Sequence, residues 1–489
     1  MKNILFGFLL TTLIGCASKQ QKTTSEKIEP QTEKSFADMH KDWKGTTQIK
    51  ENRSLEFIVS FSISDGTPQG TISIPNQMIK DLPLSEVKLE DGKLFFMIKP
   101  AGAPEMYWAK YSFDGVLDNQ EVSGFLEQGG RQFETILSQT DAPVALNRPQ
   151  MPTAPFPYTE QEVAYINPED KASLAGTLTM PTGDGPHPAV LLISGSGQQD
   201  RDSSVFGHKP FWVIADHLTR QGIAVLRMDD RGTGKSTGVR LDLTSLIFAQ
   251  DVEAGVEFLA SQSDIDAKRI GLIGHSEGGM IAPIVASQRS DVSFLVLLAG
   301  PGVNGLEVLT QQNYDILKAS GISTEDLEPL KVAYRGAMSY ESTPEEAYKH
   351  AVELIKIQAK SGSEPLSQSK IEESARKLLM SKGKAWLKTF LTLEPSEYLT
   401  KVKSPVLALN GSLDLQVSAA VNLAAIEKSL KAGGNQDFTV QSLEGLNHMF
   451  QQAQTGLVSE YEIIEETFNP KALNVMTDWI LLKTKMNAD

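Results

Sequence analysis

A serine between two glycines is the strongest chemical signal in the chain. Residues 274–278 have the sequence Gly-His-Ser-Glu-Gly, after a short apolar run at 270–273 and before a segment, 279–287, that can form a helix. The apolar run predicts a buried strand, and a sharp turn from strand to helix holds a serine hydroxyl clear of the sheet. Ser276 is therefore the candidate nucleophile, the alternative being a serine in an ordinary glycine-rich turn.

A serine of this kind needs a histidine and a carboxylate. The hydroxyl is a weak nucleophile until a base removes its proton, and the carboxylate holds that base in one tautomer. On such an elbow the chain order is serine, acid, histidine. Asp414 follows a buried run at 406–409, and His448 follows another at 438–443. Both lie where strands end, the edge at which such sheets bind ligands, so we predict a triad with Ser276.

Other residues compete for two of these roles. Asp437 and Glu444 are alternative acids, but neither is as well placed after a strand end. His275 lies inside the elbow, where packing beneath the turn is a better interpretation than acting as the base. Taken singly, Asp414 also fits a loop carboxylate and His448 a surface histidine; their joint order and position favour the triad.

An oxyanion site requires two N–H donors beside the serine. The N–H of Glu277, directly after the serine, is expected to supply one. The second should come from the loop at 194–202, which follows an apolar run at 190–193 and whose glycines let backbone approach a substrate. We assign Ser196, with Gly197 as the alternative donor. A simple turn is the other interpretation of this loop.

Two charged motifs near this loop are interpreted as structural. Asp200, Arg201 and Asp202 predict an internal salt-bridge cluster that shapes the loop, with a substrate contact by Arg201 as the alternative. Residues 229–236 end in Gly-Lys-Ser, like a phosphate-binding P-loop. That motif requires glycine where this chain has Asp229, so the segment is predicted to be a turn after a strand rather than a nucleotide site.

The elements that position these residues alternate between strand and helix from residue 159 onward. Such alternation predicts a mainly parallel sheet with helices on both faces. An amphipathic helix is predicted at 208–220 and a closing helix at 473–482. The predicted strands lie at 175–180, 190–193, 223–228, 270–273, 294–298, 406–409 and 438–443.

The alternation stops between about residues 301 and 400, where the pattern is helical. Residues 343–346, Thr-Pro-Glu-Glu, form a capping box with proline at the first helical position. An insertion here is expected to cap the catalytic end of the sheet, although a surface bundle is the alternative. Trp386 and Phe390 are candidate pocket residues. We expect alanine at either to change acyl-chain preference more than thermal stability.

The first third of the chain has a different pattern. Between residues 37 and 140, apolar side chains recur at every second position, for example at 55–63, which predicts a small antiparallel β-barrel or β-sandwich. A spacer or packing role is favoured over a specific ligand-binding role. A proline-rich stretch at 141–158 predicts a semi-rigid linker. Hairpin turns are predicted at the Asp-Gly pairs 65–66, 91–92 and 114–115.

The amino terminus predicts export and attachment to a membrane. Residues 1–15 resemble a signal peptide, and Leu-Ile-Gly-Cys at 13–16 resembles a bacterial lipobox, so Cys16 is the expected lipidated residue. A plain signal peptide is the alternative. Residues 16–36 are polar and predict a flexible tether. We expect an extracytoplasmic protein on the outer membrane, facing the periplasm.

Composition and net charge bear on the number of domains and on the partners and sites that the chain can have. The chain has 489 residues, long enough for more than one domain, and its 40% hydrophobic and 22% charged residues are typical of globular proteins. The net charge of −15 argues against a nucleic-acid partner. Cys16 is the only cysteine, which excludes an intramolecular disulfide and a cysteine metal cage.

Four motifs give the C-terminal two thirds a family resemblance. Residues from about 157 onward resemble the α/β-hydrolase superfamily, in particular bacterial secreted esterase-like and serine aminopeptidase-like members. The motifs that carry the resemblance are Ser-Gly-Ser-Gly-Gln-Gln-Asp-Arg-Asp at 194–202, Asp-Asp-Arg-Gly-Thr-Gly-Lys-Ser at 229–236, Gly-His-Ser-Glu-Gly-Gly at 274–279 and Ala-Gly-Pro-Gly at 299–302.

The resemblance implies a fold and a reaction class. The fold is an α/β-hydrolase domain at 159–489, with a mostly parallel eight-stranded sheet and a helical cap, preceded by a small all-β domain. The activity is acyl transfer from a small ester to water, without cofactor or metal. Relatives also include peptidases and thioesterases, and a non-catalytic, lipid-anchored binding protein is the rival class. The chain departs from many relatives at Ser194, where they have the histidine of a His-Gly pair.

Overall fold

The computed structural model describes residues 42–50, 53–64, 67–74, 79–90, 93–99, 108–114, 121–140, 148–238, 243–360 and 366–486. The signal peptide, Cys16 and the tether lie outside the described residues. So do the Asp-Gly pairs at 65–66 and 91–92, Gly115, and residues 141–147 of the predicted linker. The chain divides into two units, one made mainly of residues before Arg148 and the other mainly of residues from Arg148 onward, and they are taken in turn.

The N-terminal unit is a single antiparallel sheet of nine strands in the order β4-β3-β2-β1-β9-β8-β7-β6-β5. The strands are β1 (Asp42–Lys50), β2 (Arg53–Ser64), β3 (Thr67–Ile74), β4 (Ile79–Pro83), β5 (Glu86–Glu90), β6 (Lys93–Ile98), β7 (Ala109–Asp114), β8 (Glu121–Gln128) and β9 (Arg131–Thr140).

This sheet curls around an aromatic core. Four strands separate β2 from β6 in the sheet order, yet the rings of Phe61 on β2 and Phe96 on β6 have centroids 5.6 Å apart. Phe96 also stacks on Tyr111, and Trp43 is buried in the same cluster. In β3, β6 and β8, every second residue of much of the strand is buried in this core, as the period-two pattern predicted. The two predicted alternatives were a barrel and a sandwich, and this curled sheet resembles the barrel.

The C-terminal unit alternates strands and helices. Its strands are β10 (Tyr158–Ile166), β11 (Ser173–Pro181), β12 (His187–Ile193), β13 (Ala224–Met228), β14 (Ile265–His275), β15 (Phe294–Leu298), β16 (Val406–Gly411) and β17 (Phe438–Leu443). Its helices are α1 (Pro210–Arg220), α2 (Ser245–Ala260), α3 (Glu277–Ala286), α4 (Gly305–Ala319), α5 (Thr324–Met338), α6 (Pro344–Ala359), α7 (Gln368–Ser381), α8 (Ala385–Thr392), α9 (Pro395–Leu399), α10 (Ala419–Ala432) and α11 (Pro470–Met486). In the described parts of the chain, no helix combines the length and the apolar character needed to cross a membrane.

These eight strands form one sheet in the order β10-β11-β13-β12-β14-β15-β16-β17. The two pairs at the β10 end are antiparallel, and the pairs from β13 to β17 are parallel. The predicted mainly parallel, eight-stranded sheet is confirmed. The strand that the apolar runs did not reveal is β10, because it is an edge strand whose side chains are mostly exposed.

The sheet has a hydrophobic core on each face. Successive residues of β12 point to opposite faces, so Leu191 and Ile193 join one cluster and Val190 and Leu192 the other. Helices α2, α3 and α10 cover the first face, and α1 and α11 cover the second. Burying both faces explains why the central strands are continuous apolar runs.

Six helices, α4 to α9, are inserted between β15 and β16. Four of them, α5 to α8, contribute buried residues to a separate hydrophobic cluster, and α4 packs partly buried side chains against it. The predicted capping box begins α6: Thr343 Oγ1 accepts from the N–H of Glu346, and the N–H of Thr343 donates to Glu346 Oε2 across 2.9 Å. We refer to α4–α9 as the cap.

Candidate active site

Ser276 lies on a strained turn between β14 and α3. Its φ of 55° and ψ of −122° are unusual for a residue with a side chain, because Cβ is crowded when φ is positive. The turn is held from both sides: the Ser276 N–H donates to the carbonyl of Leu298, and the Gly279 N–H donates to the carbonyl of Ser276. This is the geometry of a nucleophile elbow.

The two flanking glycines are required by close packing around this turn. A Cβ atom on Gly274 would lie 2.1 Å from the carbonyl oxygen of Gly278. A Cβ atom on Gly278 would lie 2.3 Å from the carbonyl oxygen of Ile193, at the end of β12. Any side chain at either position would push strand and helix apart and move the serine.

Asp414 and His448 are brought together from the loops after β16 and β17. His448 Nδ1 donates to Asp414 Oδ2 across 2.8 Å, and both side chains are buried. The other carboxylate oxygen, Oδ1, accepts the N–H groups of Gln416 and Val417, each at 2.8 Å. The carboxylate is thus fixed by the backbone, and it holds the imidazole with Nε2 as the available proton acceptor.

The two alternative acids are engaged or exposed elsewhere. The carboxylate of Asp437 forms an ion pair with Lys483 at 2.5 Å, on α11. Glu444 is exposed to solvent. Of the acids considered from sequence, the structure therefore brings only Asp414 to His448 among the described residues.

His275 is buried beneath the elbow beside the candidate base. Its Nε2 atom lies 2.9 Å from the backbone carbonyl of His448, and the two imidazole centroids are 4.8 Å apart. Burial, reinforced by the neighbouring His448, lowers the pKa of His275 to about 3. The ring is therefore neutral at ordinary pH and supports the loop of the base, in agreement with the packing role expected for it.

The candidate oxyanion donors lie on either side of Ser276. Glu277 is the first residue of α3, and the first N–H groups of a helix have no acceptor within that helix. On the other side, a Cβ atom on Gly195 would lie 3.1 Å from Ser276 Cβ, so the loop after β12 passes directly beside the serine. Ser196 and Gly197 follow in that loop, and Gly197 has a φ of 90°.

The side chain of Glu277 has a role that sequence reasoning missed. It is only 2% exposed, and it accepts hydrogen bonds from Ser245 Oγ at 2.6 Å and from Trp386 Nε1 at 3.0 Å. Burial raises the pKa of this carboxyl, whereas the side chains of Ser245, Trp386 and Ser196 act to lower it. The sequence did offer a sign of this role, namely an acidic residue inside the elbow motif, because a carboxylate that is buried there must accept hydrogen bonds from other side chains.

A buried aspartate fixes the start of the loop at 194–202, which carries the second candidate oxyanion donor and is called the oxyanion loop below. Ser194 Oγ lies 2.8 Å and 2.9 Å from the two carboxylate oxygens of Asp230, and the Gln199 N–H donates to Oδ2 across 2.8 Å. Burial raises the pKa of Asp230 to about 8, with Asp251 and Glu277 adding to that rise. The serine that replaces the histidine of many relatives therefore serves as the anchor of this loop.

The prediction that Asp200, Arg201 and Asp202 form a salt-bridge cluster with one another is wrong. Arg201 pairs with Asp229 at 2.8 Å and with Glu162 at 2.6 Å, whereas Asp202 pairs with Arg227 and Lys209. Side chains of adjacent residues point apart, so each reaches a different element. The Arg201 side chain is 13% exposed and is occupied by these contacts rather than turned toward a substrate.

The segment 229–236 is a structural turn, as its sequence indicated. Asp229 Oδ2 accepts the N–H of Lys235 at 3.0 Å, which closes the turn around the carboxylate. Gly234 has a φ of 53°, and a Cβ atom there would lie 2.4 Å from Asp229 Oδ2. The segment thus supports the loop of Arg201 and Ser194 from below.

The two candidate pocket residues lie on α8 of the cap. The rings of Trp386 and Phe390 are stacked with centroids 5.3 Å apart. Phe390 is 5% exposed and belongs to the main hydrophobic core, so we revise the expectation that it lines a pocket. Trp386 is half-buried and contacts the elbow through Glu277, which leaves its pocket role as a prediction.

Comparison with known proteins gives a family match and partial relatives. Residues 210–338 match the family model described as "Serine aminopeptidase, S33". Esterase EstD of Thermotoga maritima is 32% identical over 183 residues, 36% of this chain and 43% of that protein. Dipeptidyl peptidase 8 of Mus musculus is 32% identical over 158 residues, 30% of this chain and 18% of that protein. The chain thus spans less than half the length of these curated relatives.

Solved structures align with this chain only at low identity. An esterase of Pyrococcus furiosus aligns with a TM-score of 0.40 and 17% identity, over 69% of this chain and 97% of that one. The family match covers α1 to α5 and includes the elbow at Ser276. With a mainly parallel eight-stranded sheet, an elbow after β14 and the acid and histidine after β16 and β17, this chain has the α/β-hydrolase fold, and part of it is similar to the serine aminopeptidase family model.

Proposed function

We propose that this protein is a serine hydrolase that cleaves carboxylic esters with small or short acyl groups. The observation that carries the proposal is the 2.8 Å contact between His448 Nδ1 and Asp414 Oδ2, formed at the strand edge that also presents Ser276 on a strained elbow. A serine, an oriented imidazole and a buried carboxylate in this chain order are the parts that acyl transfer requires.

The reaction has two steps. Ser276 Oγ attacks the ester carbonyl as its proton passes to His448 Nε2, and the N–H groups of Glu277 and Ser196 donate to the resulting oxyanion. The C–O bond then breaks, and His448 returns the proton to the departing alcohol. In the second step His448 takes a proton from water, the hydroxide attacks the acyl-enzyme, and the acid leaves as Ser276 regains its proton.

The preference for esters is supported by the named esterase among the relatives. A second candidate is a peptidase that cleaves amide bonds by the same steps. The family model described as a serine aminopeptidase and the dipeptidyl peptidase relative favour this second candidate. The two activities differ in the leaving group that His448 must protonate, so a substrate panel separates them.

The first experiment is a fluorophosphonate label combined with that panel. We expect the wild-type protein to be labelled and to hydrolyse p-nitrophenyl acetate and butyrate faster than matched thioesters and aminoacyl anilides. Ser276→Ala should abolish labelling and turnover while the circular dichroism spectrum is retained. The matched control is Ser287→Ala, at the other end of α3, which should behave as wild type.

The opposite results are equally informative. A folded wild-type protein that is neither labelled nor active on any panel member would favour the lipid-anchored binding protein over the enzyme. A folded Ser276→Ala variant with substantial activity would remove Ser276 as the nucleophile. Faster cleavage of anilides than of esters would favour the peptidase.

We also propose that the protein is anchored to the outer membrane, facing the periplasm, through a lipid on Cys16. The support is the lipobox-like sequence at 13–16, which lies outside the described residues. A lipid anchor would hold the hydrolase near the membrane surface by a polar tether at 16–36.

A further inference from the structure

The carboxylate of Glu277 lies where three separate segments meet the elbow. Ser245 at the start of α2 donates to it across 2.6 Å, and Trp386 on cap helix α8 donates through Nε1 at 3.0 Å to both oxygens. The third segment is the loop after β12, whose Ser196 side chain lies near enough to the same carboxylate to act to lower its pKa. The donors come from distant parts of the sequence.

The direction of these bonds is set by chemistry. An indole nitrogen can only donate, so Glu277 accepts from Trp386. Burying a carboxylate costs free energy unless hydrogen-bond donors surround it. Removing one donor leaves a buried carboxylate oxygen without a hydrogen-bond partner. The carboxylate therefore holds the elbow, α2, the oxyanion loop and the cap in one arrangement.

Helix α8 joins the cap to the main domain. Leu387 and Leu391 pack in the hydrophobic cluster of the cap, whereas Phe390 packs in the main core. Trp386 contacts both clusters and stacks on Phe390. Gly305, at the start of α4, packs so closely that a Cβ atom there would lie 2.3 Å from the carbonyl oxygen of Phe390. A displacement of the cap would therefore move the Trp386 ring.

We propose that Glu277 is a positioning residue through which the seated cap aligns the oxyanion site. The inference rests on the proposed function, since it concerns the backbone N–H groups of Glu277 and Ser196. One carboxylate links the residues that carry both donors, and Trp386 attaches the cap to that carboxylate. With Trp386 seated, the two N–H groups converge on the oxyanion; without its hydrogen bond, Glu277 and Ser196 move independently.

The central test is Trp386→Phe, which removes the indole N–H but keeps an aromatic ring against Phe390. The bound ester carries no oxyanion, which develops only as Ser276 attacks, so we expect kcat for p-nitrophenyl butyrate to fall about tenfold while KM changes by less than about twofold. The matched control is Trp212→Phe. The Trp212 Nε1 atom is buried and has no hydrogen-bond partner among the described residues, so its removal should leave kcat unchanged.

Ser196→Ala is the second variant, because it cuts the same link from the other side and keeps the backbone N–H. It should also lower kcat more than KM. Binding of a trifluoromethyl ketone, which forms an oxyanion on Ser276, should weaken about tenfold in both variants, whereas binding of the acid product should not. Glu277→Gln retains an acceptor for Trp386 and should lose less activity than Glu277→Ala.

The proposal is overturned if Trp386→Phe and Ser196→Ala keep the kcat and ketone affinity of the Trp212→Phe control. It is also overturned if both variants raise KM with kcat unchanged, which would assign these side chains to substrate binding. Failure of the proposed function itself would be distinguishable, since the wild-type protein would then show no fluorophosphonate labelling of Ser276.

Discussion

His275 Nε2 donates a hydrogen bond to the backbone carbonyl oxygen of His448 across 2.9 Å. A carbonyl oxygen can only accept, and burial lowers the pKa of His275 to about 3, so the ring is neutral with its proton on Nε2. The residue before the candidate nucleophile therefore supports the loop that carries the candidate base. Asp414 orients the imidazole of His448, and His275 holds its main chain.

We expect His275→Phe to slow the enzyme without unfolding it. The substitution keeps a planar ring in the buried site but removes the donor to His448. One net hydrogen bond is worth about 1 kcal/mol, which corresponds to a loss of about fivefold in kcat if it is expressed in the transition state. Ester turnover and the circular dichroism spectrum measure the two effects; an unchanged kcat in a folded variant would show that the bond does not position the base.

Two buried histidines should make the protein sensitive to acid. Burial lowers the pKa of His275 to about 3 and that of His208 to about 4, both from an ordinary value of 6.5. The unfolded chain binds these protons more tightly, so the stability contributed by the neutral rings is present above pH 6.5 and is lost as the pH falls toward those values. We expect the melting temperature to fall on acidification below pH 6.5.

His208→Gln tests how much His208 contributes to this acid sensitivity of the melting temperature. Its Nδ1 lies 2.8 Å from Thr467 Oγ1 and its Nε2 lies 2.9 Å from the carbonyl of Tyr461. A glutamine replaces some of these contacts but does not titrate. The variant should melt at a lower temperature than wild type near neutral pH and show a shallower fall on acidification. An unaltered slope would mean that His208 does not take up a proton on unfolding.

The opposite pH dependence is expected from Asp230. Burial raises its pKa to about 8, above the ordinary aspartate value of 3.8. The folded state then binds the proton more tightly, so this contribution is full below pH 3.8 and is lost as the pH rises through about 8. Asp230→Asn mimics the protonated form, and its melting temperature should depend less on pH between about 3.8 and 8, the range over which only the folded wild-type protein keeps this proton. Equal pH slopes for both proteins would contradict the prediction.

Local sequence pattern was enough for the sheet, for the strained turn at Ser276 and for the strand ends that carry Asp414 and His448, whereas the joint role of these three residues as a triad stays a prediction. Strands buried on both faces are continuous apolar runs, and glycines two positions before and after a serine mark a sharp turn. The contact between Trp386 and Glu277 joins residues 109 positions apart, and no local pattern encodes such a pair. The partners of Arg201 were missed for the same reason, since Asp229 and Glu162 reach it from other elements of the sheet.

The membrane attachment predicted from the amino terminus is testable by mass. We expect intact-mass and peptide analysis of protein expressed in a Gram-negative host to show a mature chain that begins at an acylated Cys16. Cys16→Ala should release the protein from the membrane fraction without altering ester turnover of the folded enzyme. An amino terminus elsewhere, or an unmodified Cys16, would support the plain signal peptide.

Trp386 and Phe390 should respond differently to alanine, although they stack on each other. Phe390 is 5% exposed in the main core, where the loss of a buried phenylalanine side chain costs about 3–5 kcal/mol, so Phe390→Ala should lower the melting temperature sharply. Trp386 is half-buried beside the elbow, so Trp386→Ala should change the relative rates for p-nitrophenyl acetate, butyrate and octanoate, with a smaller loss of stability. Relative kcat/KM values and thermal melts of the two variants measure both effects. If Trp386→Ala collapsed the melting temperature and kept the chain-length preference, Trp386 would be core as well, and the acyl group would have to bind against other residues.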